Sequence, residues 1–235
     1  MTLLVNEVTT KIHIISNITS ASWTHVNGGN ALFVCFACAD SGTPTVTYNS
    51  VGLTQVGSVL NGREAFIYQL ASPSIGSNTV AVSGFTSGWF IGYAISFANA
   101  DLSNLSSGFA SATGTTTTPS VNVSSGPLNM VIDILVLNGD ANARTLTVGA
   151  GQTELLNQAT PATWIAAAGS REIGAATTTM SWGINTSTPC GIAGVSVNGL
   201  PSLSPTTWFF MRETKRLWDN IGGLYVPRQQ GLVTI

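Results

Sequence analysis

The stretch Trp89–Phe97 reads WFIGYAISF. Trp89, Ile91, Tyr93, Ile95 and Phe97 fall on one parity, and Phe90, Gly92, Ala94 and Ser96 on the other. A helical period of 3.6 would scatter the large side chains around a cylinder, whereas the two faces of a pleated strand sort them cleanly. This stretch is a strand, and the same parity recurs on both sides of it.

Alternation assigns further strands to REAFIYQL, with Phe66, Tyr68 and Leu70 inward, and to NTVAVSG, PSVNVSS and TLTVGAG. ATTTMSWGI places Met180, Trp182 and Ile184 on one side, and GIAGVSVNG follows it. Turn-forming clusters (DSGTP, LNGRE, SPSIGSN, SSGP, NGDANA, NTSTP) separate these runs. LNMVIDILVLNG is apolar on both parities, which predicts a central strand covered on each side. Asp133 interrupts that run, and a buried carboxylate is tolerated only when hydrogen bonds satisfy it. It is expected to tie an adjacent loop's N–H or hydroxyl groups, with a ligand or catalytic acid as the alternative.

Short strands with turns between them and no helical pattern before residue 205 give an all-β chain, an antiparallel β-sandwich with jelly-roll-like connections. Residues 1–30 are expected to add a strand or an arm, 31–200 to form the sandwich, and 201–235 to form a short C-terminal extension. No repeat of 20 to 50 residues is evident, which argues against a propeller or solenoid.

Composition narrows the partners. Charged residues are 8% of the chain, against about 25% in an average soluble domain, so Thr, Ser, Asn and Gly must cover the surface. Residues 1–200 hold four basic and eight acidic side chains, and 201–235 hold four basic and two acidic. Neither balance resembles the basic stripe that phosphate binding requires, so nucleic acid is not an expected partner. No run reaches the ~18 apolar residues of a membrane span, and the N-terminal MTLLVNEVTTK does not read as a signal peptide. Cys35 and Cys38 lie in one strand at positions that point to opposite faces. With Cys190 isolated, buried thiols are expected rather than a zinc or redox pair.

After the prolines at 201 and 205 the character of the chain changes. WFFMRETKRLW, 208–218, gathers Arg212, Lys215 and Arg216 among aromatics. Thr206 or Thr207 would cap a short helix carrying Phe210, Leu217 and Ile221 as an apolar stripe. Trp208, Phe209, Phe210, Arg212, Arg216, Leu217, Trp218 and Tyr225 are the expected assembly interface, with aromatics entering a groove and cations meeting an acidic rim; the alternative is a segment that folds back over an open end of the sandwich.

In order along residues 30–198, the chain supplies VTYNSVGLTQVG (46–57), TPSVNV (118–123), LNMVIDIL (128–135), GAGQT (149–153), TMSW (179–182) and GVSV (194–197). This series resembles a β-sandwich module of phage virion structural proteins and bacterial surface proteins. The later TKRLWDNIGGLYVPRQQG (214–231) resembles the Trp-and-LYV segments of phage tail and other virion proteins. The resemblance implies a capsid decoration, head fibre or tail component that meets other virion proteins and forms a homo-oligomer, with a trimer the expected order. It implies no catalytic residue and no cofactor.

The residues agree with that implication. There is no GxSxG elbow, no phosphate-binding loop and no dinucleotide fingerprint. Asp101, Asp133, Asp140, Glu154 and Glu172 are scattered singly, and His13 and His25 lack metal-site spacing. The alternative expectation is a carbohydrate-binding or host-adhesion module with Trp23, Tyr48 and Trp164 as sugar platforms.

Overall fold

The computed structural model describes residues 2–38, 42–138, 144–159, 165–201, 218–221 and 224–227. Residues 1–200 form one compact unit and 201–235 a second. All named elements are strands, and every pairing is antiparallel.

The first half of the large unit runs β1 (Leu4–Asn27), β2 (Ala31–Cys38), β3 (Thr45–Tyr48), β4 (Val51–Gly52), β5 (Thr54–Leu60), β6 (Glu64–Ala71) and β7 (Gly76–Ala98). The second runs β8 (Ser106–Thr116), β9 (Ser120–Ser124), β10 (Met130–Asn138), β11 (Leu146–Val148), β12 (Thr153–Ala159), β13 (Ile165–Ile173), β14 (Thr177–Ile184) and β15 (Thr188–Val197). Residues 1–30, expected as a strand or an arm, supply a strand: β1 pairs with β7 along almost its whole length.

The two halves share one topology. The first has a large layer in the order β5-β6-β2-β7-β1, and the second repeats it as β12-β13-β10-β15-β8. Each large layer carries a smaller cover, β3-β7-β1 in the first half and β11-β14-β9 in the second. The long strands β1 and β7 bend to serve both layers, which the second half achieves with separate strands joined across 117–119 and 185–187. Even irregularities match. A register shift between Gln55 and Gly57 in β5 has its counterpart between Glu154 and Leu156 in β12. One turn is shared as well, since Gly52-Leu-Thr54-Gln55 corresponds to Gly151-Gln-Thr153-Glu154.

The halves also meet symmetrically. Ala100 and Gly199, which close them, form an antiparallel bridge, with the Asp101 N–H donating to the Asn198 carbonyl and the Leu200 N–H to the Asn99 carbonyl. The Asn30 side-chain carbonyl accepts from the Ala100 N–H at 3.0 Å, and that of Asn129 from the Gly199 N–H at 3.2 Å. The antiparallel, jelly-roll-like sandwich expected over 31–200 is present and extends over 1–200 as two halves of matching strand order, which meet at the 100–199 bridge.

Three cores follow from this layering. The large layers face each other through Phe33, Ile91, Ile95 and Phe97 from the first and Ile132, Ile134 and Val195 from the second. Beneath the first cover, Phe36 stacks on Phe66 at 5.1 Å and on Phe90 at 5.2 Å, beside Val46 and Val82. Beneath the second, Trp182, Met180 and Val123 close over Leu135, Leu137 and Ile192. β2 and β10 are buried at every position but Asn138, as strands covered on both faces must be. Cys35 faces the central core and Cys38 the first cover, so the expected opposite orientation holds, and no disulfide joins the three buried cysteines.

In the second unit, β16 (Trp218–Ile221) and β17 (Leu224–Pro227) pair as an antiparallel hairpin. This corrects the expected helix over its last part. Ile221 pairs with Leu224 across two glycines, and a Gly-Gly between two runs favours a tight hairpin rather than a helical turn.

Candidate functional site

The expected assembly residues Trp208, Phe209, Phe210, Arg212, Arg216 and Leu217 lie outside the described residues, as does Trp164. Trp218 and Tyr225 lie on the two strands of the hairpin, one in β16 and one in β17. As sugar platforms, the aromatics of the body fare differently from expectation. Tyr48 is 1% exposed, and its hydroxyl donates to the carbonyls of His25 and Gly76, so its ring offers no face to a sugar. Trp23 is half-buried, its ring tilted against Phe90 at 5.8 Å and its indole N–H donating to Thr9 Oγ1 at 3.0 Å.

The most polar element of the interior is Asp133, at the middle of β10 and fully buried. One carboxylate oxygen accepts from the Ser170 N–H at 2.5 Å and the Ser170 hydroxyl at 2.9 Å. The other accepts from the Trp182 indole N–H at 2.9 Å. Gln152 extends the network, donating to Ser170 Oγ and accepting from the Ser181 N–H. Tyr93, on the opposing large layer, donates its hydroxyl to the Asp133 carbonyl at 2.6 Å. Gly169 makes that approach feasible, because a Cβ there would collide with the Tyr93 ring. The network thus ties both large layers and the second cover together, and the groups that Asp133 holds lie on the strands β13 and β14 rather than on an adjacent loop.

Burial pushes the Asp133 carboxyl up to about 7, against the pull of its three donors. His25, buried in the first half with its Nδ1 facing Thr9 Oγ1 at 2.9 Å, is pushed down to about 4 by the same cause. The signs oppose each other. The raised Asp133 contributes stability present below 3.8 and lost as pH rises through about 7, and the depressed His25 contributes stability present above 6.5 and lost as pH falls through about 4. Urea titrations between these limits should give an almost level unfolding free energy for the native chain. In Asp133→Asn only the histidine slope remains. Stability should then climb with pH by at most about 1.4 kcal/mol per unit, less where solvent screens the ring. A steep native slope with no change in the variant would contradict this assignment.

Among the described residues, no group of three His, Cys, Asp or Glu side chains is placed to hold a metal ion, and no helix is long and apolar enough to cross a membrane. Asp101 is half-buried and caps its own turn through the Ser103 N–H and hydroxyl, which hold its carboxyl below the usual range.

Two surface grooves lie at equivalent strands of the two halves. In one, Leu102–Ser106, leading into β8, faces Gln69–Ala71 at the end of β6 and encloses about 490 Å³. In the other, Thr2–Val5, leading into β1, faces Arg171 and Ile173 at the end of β13, with 127–130 as a floor, and encloses about 370 Å³. Their chemistry has diverged. Thr54, Gln69, Ser103, Asn104 and Ser106 make the first polar, and Leu4, Val5, Leu128, Met130 and Ile173 make the second apolar. Sequence reasoning missed both, because each draws its walls from segments that lie far apart along the chain.

Searches against family models, curated proteins and solved structures found no match to this chain.

Proposed function

We propose that the protein is a non-enzymatic structural component of a bacteriophage virion, a capsid decoration, head fibre or tail protein that displays the double sandwich and is held by its C-terminal segment. The observation that carries this reading is the division of the chain. A body of 200 residues with few charges is followed by a separate unit that concentrates half of the basic residues, four of eight, in 35 positions.

The body supports it further. The fully buried carboxylate of Asp133 serves packing, and the surface rich in uncharged Thr, Ser and Asn suits repeated display better than substrate capture. The motif series along 30–198 points the same way through its resemblance to virion proteins. Oligomerisation fits the reading, since symmetric association multiplies weak contacts. A carbohydrate-binding role is the lesser reading, because Tyr48 is buried and Trp23 is engaged from within. Mass spectrometry of purified particles tests the proposal. The chain should appear among the structural proteins, and its absence from the particles would overturn the reading.

A further inference from the structure

We propose that the apolar groove is the receptor for the aromatic run Trp208–Phe210 of a second copy of this chain. The inference rests on the assembly reading and names the surface that receives the segment. The groove gathers three of the body's exposed large apolar side chains, Leu4 at 53%, Leu128 at 36% and Ile173 at 70%. Its polar counterpart in the other half shows that the fold itself does not require apolar residues at this position. Other exposed apolar side chains, such as Ile75 and Leu60, lie elsewhere on the body, whereas these three line one groove, and a contiguous apolar patch marks a contact.

The place where the body ends selects the occupant. Leu200 donates its N–H to the Asn99 carbonyl, and the Asn99 side chain donates to the Thr2 carbonyl at 2.9 Å, so the departing chain lies beside the first residues of the groove wall. Gly199 itself lies against Leu128 and Leu3. Seven residues lead from Pro201 to Trp208, and at ~3.3–3.6 Å each they reach ~23–25 Å, enough to extend to a neighbour. At the end of the first half, the chain leaving Asp101 becomes the wall of the polar groove as Leu102–Ser106. The matching wall of the apolar groove is already formed by Thr2–Val5 of the body. Exchange between copies places Trp208, Phe209 and Phe210 in a groove of suitable chemistry and repeats one contact around a closed assembly.

The test uses the full chain and measures mass by light scattering across a dilution series. Ile173→Asp and Leu128→Asp alter exposed side chains, and near-UV circular dichroism should confirm an unchanged core. Each substitution, like Trp208→Ala, should shift the midpoint of dissociation at least tenfold toward higher concentration. Combining Ile173→Asp with Trp208→Ala should add little. A midpoint that responds to Trp208→Ala but not to the groove substitutions overturns the groove while leaving the assembly reading intact. A single-copy mass for the unaltered chain, or groove substitutions that expose the segment to protease with no change in mass, overturns exchange between copies. Failure of the assembly reading would register separately, as absence of the chain from purified particles.

Discussion

Asp133→Ala should cost about 4 kcal/mol of unfolding free energy, the largest effect expected of any single substitution in the body. The change strands the Ser170 N–H and the Trp182 indole N–H in the interior, and each buried donor left without an acceptor costs roughly 1–3 kcal/mol. The Ser170 hydroxyl can rotate toward another acceptor and adds less. The loss should lower the melting temperature by roughly 8–16 °C in a body of this size. Ser170→Ala, which keeps its backbone N–H on the carboxylate, should cost only about 1 kcal/mol. Because Asp133, Ser170 and Trp182 share one network, the double variants should fall short of additivity. A loss below about 1 kcal/mol for Asp133→Ala would mean that the network does not hold the second cover on the large layer.

Truncation after Leu200 should have the opposite profile, with almost no effect on stability and a complete loss of assembly. All three cores lie within residues 3–197, so the shortened chain keeps every buried contact of the body. Its melting temperature should stay within about 2 °C of the full chain, and it should sediment as a single copy at concentrations where the full chain associates. If the shortened chain unfolds, residues 201–235 belong to the core. If it still associates, the attachment surface lies in the body alone.

The strands were legible because alternation is a local property. The parity of Trp89–Phe97 foretold which side chains enter the central core and which face the first cover, and Trp182 and Met180 fell on the buried side as expected. The duplication was not legible in the same way. A strand asks only for apolar residues at alternate positions, so two copies of one topology can diverge almost freely and keep matching residues mainly at turns and bulges. Thr45-Val-Thr47 and Thr145-Leu-Thr147 stand 100 positions apart, well outside the 20 to 50 residue period of solenoids and propellers. Tyr48 misled for a related reason. Its position in a strand gives its facing, but only the third dimension reveals the His25 and Gly76 carbonyls that take its hydroxyl. In the hairpin at 218–227, the spacing of Phe210, Leu217 and Ile221 suggested a helix, while Gly222-Gly223 carried the stronger local signal.

A particle component held by its last 35 residues should depend on them for incorporation. The most direct measurement quantifies, by mass spectrometry, full-length protein and the 1–200 truncation supplied together at equal amounts during particle production. Purified particles should contain the full-length chain at the level of a structural protein and retain almost none of the truncated form. Equal incorporation of both forms, or exclusion of both, would contradict it.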